Sequence, residues 1–223
     1  MRELAIVHED EEIIVVDKKA GLAVQGGERV GASLDDVVAL HLGERAFLVH
    51  RLDKDTSGLI LVAKTKRAAA YYASLFAGRA VRKVYLAVCA GRPAAAEGAI
   101  DDPVGARGNQ KNALTRYRVR ASAEPFSLLE LELGTGRMHQ IRIHLAGIGH
   151  PILGDDKYGD FALNKRLRKE LGVRRLLLHA HRLVVPRPGG APLDLTSPLP
   201  DHFEPCMAAL GLDRGTLNAR PCL

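Results

Sequence analysis

The chain has 223 residues, with 47% apolar and 26% charged side chains, a composition that excludes a disordered or low-complexity polymer. At ~150 residues per domain, that length suits one large domain or two small ones. Lys and Arg outnumber Asp and Glu by 32 to 26, and 22 of the 32 cations are arginine. This mild basic excess suits a polyanionic partner. No apolar run approaches the ~20 residues that span a bilayer. The start, Met1-Arg2-Glu3-Leu4, leads into an acidic stretch at Glu9–Glu12 and lacks a signal peptide's apolar core, so a cytoplasmic protein without a membrane partner is expected. Cys89, Cys206 and Cys222 are far apart and odd in number, which predicts reduced thiols and neither a zinc site nor a disulfide framework.

In chain order, residues 12–17 are rich in β-branched side chains and predict a buried strand. Gly21 and Gly26-Gly27 mark the loop that follows. Ser33 with Asp36 three residues later reads as a capping box, opening a helix that Gly43 closes. Residues 47–49 and 59–63 read as two strands around a polar loop, His50 to Gly58. Thr65 caps a helix running to Phe76, and residues 84–90 form another buried strand.

Residues 115–120 alternate, with Arg116, Arg118 and Arg120 on one face. Leu129, Leu131 and Leu133 alternate with Glu130 and Glu132, and a turn between the two runs predicts a hairpin. If Arg118 lies opposite Glu130, these arginines are cross-strand ion pairs and not a nucleic-acid patch. Met138, Ile141, Leu145 and Ile148 make a helical stripe ended by Gly149. Residues 161–171 predict an amphipathic helix with Leu163, Leu167 and Leu171 on its apolar edge. Lys165, Arg166, Arg168 and Lys169 lie on its basic face. Residues 176–185 are the last clear strand, and Pro and Gly dominate from there to Pro200. One continuous α/β domain over residues 1–223 is the simplest organisation.

Neither a P-loop nor a G-x-G-x-x-G turn is present. His139, His144 and His150 do not stack on one helical face. His179 and His181 share a strand face but lack a third ligand, so no metal site is expected. The informative stretch is His50-Arg51-Leu52-Asp53-Lys54-Asp55-Thr56-Ser57-Gly58, a reactive set of side chains on a loop between two apolar strands. Asp, Thr, Ser and Gly also build ordinary turns. Leu52 interrupts the kinase H-R-D pattern, and no D-F-G follows. Asp53 and Asp55 fall on the same side of an extended loop, which does not flank a glycosidic bond.

The segment Val49 to Thr65 resembles the signature of the RluA-type pseudouridine synthases. Other motifs agree in order. Val15-Val16-Asp17-Lys18-Lys19-Ala20-Gly21-Leu22 resembles the first motif, with Asp17 and Lys19 departing from the usual Asn and Pro. Lys83-Val84-Tyr85-Leu86-Ala87 resembles the K-x-Y-x-A strand. Thr135 to Leu145 resembles the third motif, with Met138 where Thr or Ser is commoner, and Gly149 to Gly159 continues it. Leu178-His179-Ala180 resembles a further core segment. The resemblance spans about Leu4 to Leu212. With the first motif beginning near residue 15, a chain without the S4-type RNA-binding domain of many relatives is expected, and residues 23–27 are closer to the branch acting on large-subunit ribosomal RNA.

The resemblance implies an α/β (α+β) pseudouridine synthase fold, a central, mostly antiparallel mixed sheet with flanking helices and a catalytic cleft. It implies isomerisation of specific uridines in structured RNA, ribosomal before transfer RNA, without cofactor or metal, and a monomer is the default expectation. Asp53 would be the catalytic carboxylate, Tyr85 the base-contacting aromatic, and Arg142 the guanidinium paired with Asp53 and favouring its ionised state. Arg51, Leu178, Arg137 and His139 would contact the flipped nucleotide and its surroundings. The basic helix and the Arg79-Arg82-Lys83 cluster would follow the RNA backbone. The competing expectations are a catalytically silent RNA-binding module and a hydrolase using Asp53 and Asp55, which would release free uracil.

Overall fold

The computed structural model describes residues 4–26, 32–106 and 108–211. Gly27 and Cys222 lie outside the described residues. The chain divides into two compact units, Met1–Lys83 with Ala180–Ser197, and Val84–His179 with Pro198–Leu223.

The first unit is built on β1 (Ile6–Glu9), β2 (Ile13–Lys18), α1 (Leu34–Leu42), β3 (Phe47–Leu48), β4 (Ser57–Ala63) and α2 (Lys66–Ala77). β5 (Arg82–Ala90) begins here, and most of β9 (Leu178–Val185) and all of β10 (Leu193–Thr196) return to it. β2 pairs antiparallel with β4, placing Val15 opposite Leu61 and Lys18 opposite Gly58. Every residue of β4 is buried, and β2 nearly so. Sheet residues covered on both faces need no polar alternation, which explains their continuous apolar runs. Ile13, Val15, Leu59 and Leu61 form a core with Tyr72 of α2 and with Leu183 and Val185 of β9.

The expected caps are present. Asp36 accepts the backbone N–H of Ser33 at 2.9 Å, and Gly43 ends α1 in the left-handed region at φ 70°. Thr65 Oγ1 accepts from the Ala68 N–H at 3.1 Å at the start of α2. β1 and β10 went unread in the sequence because each is only four residues long and half exposed.

The second unit carries the rest of β5, β6 (Glu97–Ile100), β7 (Thr115–Ala123), β8 (Phe126–Leu133), α3 (Gln140–Gly147), α4 (Phe161–Glu170), a 3-10 turn (Asp201–Phe203) and α5 (Glu204–Ala209). Its strand order is β5-β8-β7-β6, each neighbouring pair antiparallel. The β7–β8 hairpin sets Arg118 opposite Glu130 and Arg116 opposite Glu132. Arg118 pairs with Glu97 of β6 at 3.0 Å, and Arg120 pairs with Glu130 at 3.2 Å. The alternating arginines of β7 are therefore answered by acids on neighbouring strands.

Two elements depart from the sequence reading. α3 starts at Gln140, not at Met138, and of the anticipated stripe only Ile141 and Leu145 are buried. Met138 is 68% exposed, because residues 136–139 form a turn that the side chain of Gln140 closes by accepting from the Arg137 N–H at 3.0 Å. α5 follows the Pro- and Gly-rich stretch that ends at Pro200, in a segment to which the sequence assigned no element. Phe203, Cys206 and Met207 are all buried there.

Candidate active site

The loop between β3 and β4 is held by main-chain and buried side-chain contacts. His50 stacks on Phe76 of α2, with ring centroids 4.1 Å apart, and its Nε2 accepts the Leu61 N–H at 2.9 Å. A ring nitrogen accepting from the backbone must be unprotonated, and burial with the nearby Lys83 ammonium pushes the His50 pKa down to about 3. His50 is thus a neutral clamp at the loop entrance, not a proton carrier. Its folded pKa lies below the ordinary 6.5, so its stabilising contribution is present above pH 6.5 and is lost as pH falls toward 3. Unfolding free energy should fall by up to about 1.4 kcal/mol per pH unit from this side chain alone. His50→Gln keeps an acceptor for the Leu61 N–H without titrating. Denaturant melts between pH 6.5 and 5 should show a shallower pH slope for this variant, and equal slopes would refute the clamp.

At the other end of the loop, the Thr56 N–H donates to the Asp53 carbonyl at 3.2 Å, closing a turn around Lys54 and Asp55. Leu52 is buried beneath, while Arg51 is exposed and Asp53 half-buried. The first motif meets this loop through Lys18. Its side chain is 1% exposed, and Nζ donates to the carbonyls of Lys54 at 2.9 Å, Leu22 at 3.0 Å and Lys19 at 3.3 Å. Burial pulls the Lys18 pKa down to about 8, against the opposing pull of Asp55, Asp53 and Asp17. The Gly21 N–H also donates to the Lys54 carbonyl, at 2.9 Å. One buried ammonium therefore ties the loop after β2 to the segment carrying Asp53, 36 residues downstream. Asp17, which departs from the family pattern, accepts from Ser197 Oγ at 2.6 Å, and burial raises its pKa.

The second unit carries the other expected residues. Tyr85 sits on β5 opposite Leu131 of β8 and is 7% exposed. Arg142 on α3 is 5% exposed, and its Nε and Nη2 donate to the two oxygens of Asp155, both at 2.8 Å. Asp155 Oδ1 also accepts the N–H groups of Lys157 and Tyr158, each at 2.9 Å. Burial raises the Asp155 pKa, but these donors outweigh it and hold the carboxyl below its usual range. The Tyr158 ring faces the guanidinium, 5.2 Å from centroid to carbon, and the Tyr158 hydroxyl bonds to His139 Nδ1 at 3.0 Å. His139 adopts φ 55°, the left-handed region that a non-glycine residue rarely enters outside special turns.

The N-terminus of α3 is fixed by a fully paired buried amide. Gln140 Oε1 accepts from Thr135 Oγ1 at 2.6 Å, and its Nε2 donates to the Leu114 carbonyl at 2.9 Å and to Thr115 Oγ1 at 3.0 Å. Arg137 is exposed at this turn, and Leu178 is 3% exposed on β9. His181 pairs with the Ser197 carbonyl at 2.7 Å, so its strand-face position serves packing. Sequence reasoning missed Asp155, Tyr158, Gln140 and the tie made by Lys18. Their motifs were visible, but spacing alone does not reveal which side chain faces Arg142 or the loop.

Residues 12–147 match the family described as RNA pseudouridylate synthase, which is more than half of the chain. The chain belongs to that family. It is 36% identical over 235 residues to ribosomal large subunit pseudouridine synthase D of Pseudomonas aeruginosa, covering 95% of this chain and 73% of the relative. The corresponding synthase D of Nitrosomonas europaea is 37% identical over 225 residues, covering 93% of this chain and 65% of the relative. Among solved structures, human RNA pseudouridylate synthase domain containing 4 superposes with a TM-score of 0.82 at 32% identity, covering 94% of each chain. This synthase therefore has the pseudouridine synthase fold, and its chemistry is an isomerisation of uridine in RNA. Within the described residues, no helix is long and apolar enough to cross a membrane.

Proposed function

We propose that this synthase isomerises specific uridines of large-subunit ribosomal RNA, with Asp53 as the catalytic carboxylate. The observation that carries the assignment is the loop itself. Asp53 is half-buried in a segment pinned by the Leu61 N–H on the His50 ring, the Lys18 ammonium on the Lys54 carbonyl and the Thr56 N–H on the Asp53 carbonyl. The ribosomal target follows the names of the relatives in Pseudomonas aeruginosa and Nitrosomonas europaea. The two units act as one catalytic domain in this reading, supported by a family match that begins in the first and continues into the second.

In the reaction, the uracil N1–C1′ bond breaks, the base rotates, and a C5–C1′ bond forms. The proton leaves C5 and N1 gains one, so no atoms are lost and no cofactor is required. Bond cleavage leaves electron deficiency at the sugar, which an ionised Asp53 meets as nucleophile or as base at a sugar carbon. Arg142 is assigned as the guanidinium that serves this carboxylate. Tyr85 offers a ring face to uracil and a hydroxyl for the C5 proton. Arg51, Leu178, Arg137 and His139 bind the flipped nucleotide and its neighbours. The test is tritium release from C5-labelled, unmodified ribosomal RNA. Release shows synthase turnover, and free uracil in place of linked pseudouridine would overturn the reading in favour of hydrolysis.

Asp155 is a positioning residue in this scheme. Asp155→Asn should lower kcat by roughly 10²-fold with KM little changed, the scale expected when a catalytic group shifts by about an ångström. In an Arg142→Ala background, the same substitution should cost nothing further, because the two act as one unit. Full additivity in that double-mutant cycle would show that Asp155 acts on the fold and not through Arg142.

A further inference from the structure

Several arginines of this protein are answered by acids. Arg118 and Arg120 pair on the β6–β8 sheet, Arg182 pairs with Asp194 at 2.6 Å, and Arg67 pairs with Glu12 at 2.6 Å. The outer face of α4 differs. From Phe161 to Arg174 the chain carries five cations, Lys165, Arg166, Arg168, Lys169 and Arg174, against the single acid Glu170. Arg166 and Glu170 approach only to 3.9 Å, with both side chains more than half exposed. Among the described residues, Lys165, Arg168 and Lys169 make no ion pair, and all three are exposed. Phe161 at the head of the helix is 64% exposed.

Like charges packed on one face repel and cost stability unless a polyanion covers them. The helix is not a loose appendage. Asp160 caps it, accepting the Leu163 N–H at 2.9 Å, and Leu167 is 1% exposed beneath it. Asn164 on α4 accepts from the Gly154 N–H at 2.9 Å and donates to the Asp155 carbonyl at 2.8 Å. At Gly159 a Cβ would lie 2.3 Å from that same carbonyl, so the connecting loop is drawn tight against Asp155. The residue that grips the Arg142 guanidinium is therefore bonded directly to the helix that presents the unpaired cations.

We propose that the exposed face of α4, centred on Lys165, Arg168 and Lys169, is a docking rail for the phosphate backbone of the RNA substrate. Phe161 gives the rail one aromatic face on which a base stacks. The inference rests on the ribosomal RNA reading above and adds a surface that holds the RNA backbone. Phosphate contacts of this kind position the RNA without selecting its sequence.

The test is the variant Lys165→Ala/Arg168→Ala/Lys169→Ala, in which only exposed side chains change. Its affinity for protein-free, unmodified ribosomal RNA is measured by filter binding across a salt series, beside tritium release. The expected result is a Kd and KM raised roughly tenfold or more, an unchanged kcat, and a log Kd against log salt slope reduced by about two to three. Unchanged Kd and slope would overturn the proposal. A loss seen only with ribonucleoprotein particles, and not with bare RNA, would assign the face to a protein and overturn it equally. Binding is read without turnover, so a wild type that binds through α4 but releases no tritium refutes the catalytic reading alone.

Discussion

Replacing Asp53 with asparagine should abolish tritium release from C5-labelled RNA, with a fall in kcat of ~10⁴-fold, the upper range for removing a positioned acid–base or nucleophilic group. The substitution keeps size and one acceptor oxygen. The turn around it is built from main chain, through the Thr56 N–H and the Asp53 carbonyl, and from the Lys18 ammonium on the Lys54 carbonyl. The variant should keep this turn and bind RNA with an affinity close to wild type, and its melting temperature reports what the carboxylate adds to the loop, including its pull on Lys18. Neutral asparagine cannot attack C1′ or take a proton from the sugar, so the loss falls on kcat. Retained release would remove Asp53 from the mechanism. Loss of both folding and release would mean that the carboxylate is part of the scaffold.

Gly58, which closes the same motif, should be the least replaceable glycine of the first unit. It sits at φ 108°, and a Cβ there would lie 2.3 Å from the Ala180 carbonyl oxygen, 2.7 Å from its nitrogen and 2.8 Å from its carbonyl carbon. All three are backbone atoms of β9, which cannot rotate aside as a side chain would. Gly58→Ala should cost more than about 4 kcal/mol, the range reserved for severe steric and backbone strain. For a chain of this size that is a drop in Tm on the order of 10 °C or more. Gly43 is the control. It has φ 70° but nothing within 4 Å of its added Cβ, so Gly43→Ala should cost only about 1 kcal/mol of backbone strain. Equal melting temperatures for the two variants would show that the Ala180 backbone yields.

The two substitutions separate the motif's chemistry from its architecture. Of its residues, Asp53 is the one proposed to react. His50, Leu52, Thr56 and Gly58 hold the loop against α2, β4 and β9, by ring stacking, burial, a turn hydrogen bond and a backbone approach respectively. The sequence showed that these residues belong together and could not assign those separate tasks.

The sequence by itself determined the strands of the cores, the caps of α1 and α2, the β7–β8 hairpin and the motif order that places the chain in its family. These are local matters. Apolar runs, a Ser three residues before an Asp, and alternation over eight residues are all written within one element's length. The β7–β8 register, with Arg118 opposite Glu130, was legible because it follows from a short turn, although the ion pairs that form are Arg118 with Glu97 and Arg120 with Glu130. Tertiary structure decided the rest. Lys18 is a surface residue by composition, yet its ammonium is buried on three carbonyls, one of them from 36 residues downstream. Arg142 is gripped by Asp155, thirteen residues on, through a loop whose path no periodicity encodes. Met138 matched a helical stripe but lies on an exposed turn, because the Gln140 amide found four partners there and began the helix later. In each case the deciding energy is the satisfaction of a buried charge or amide by groups distant in sequence. A buried polar group costs far more unpaired than paired, so the fold, and not the local pattern, selects its partner.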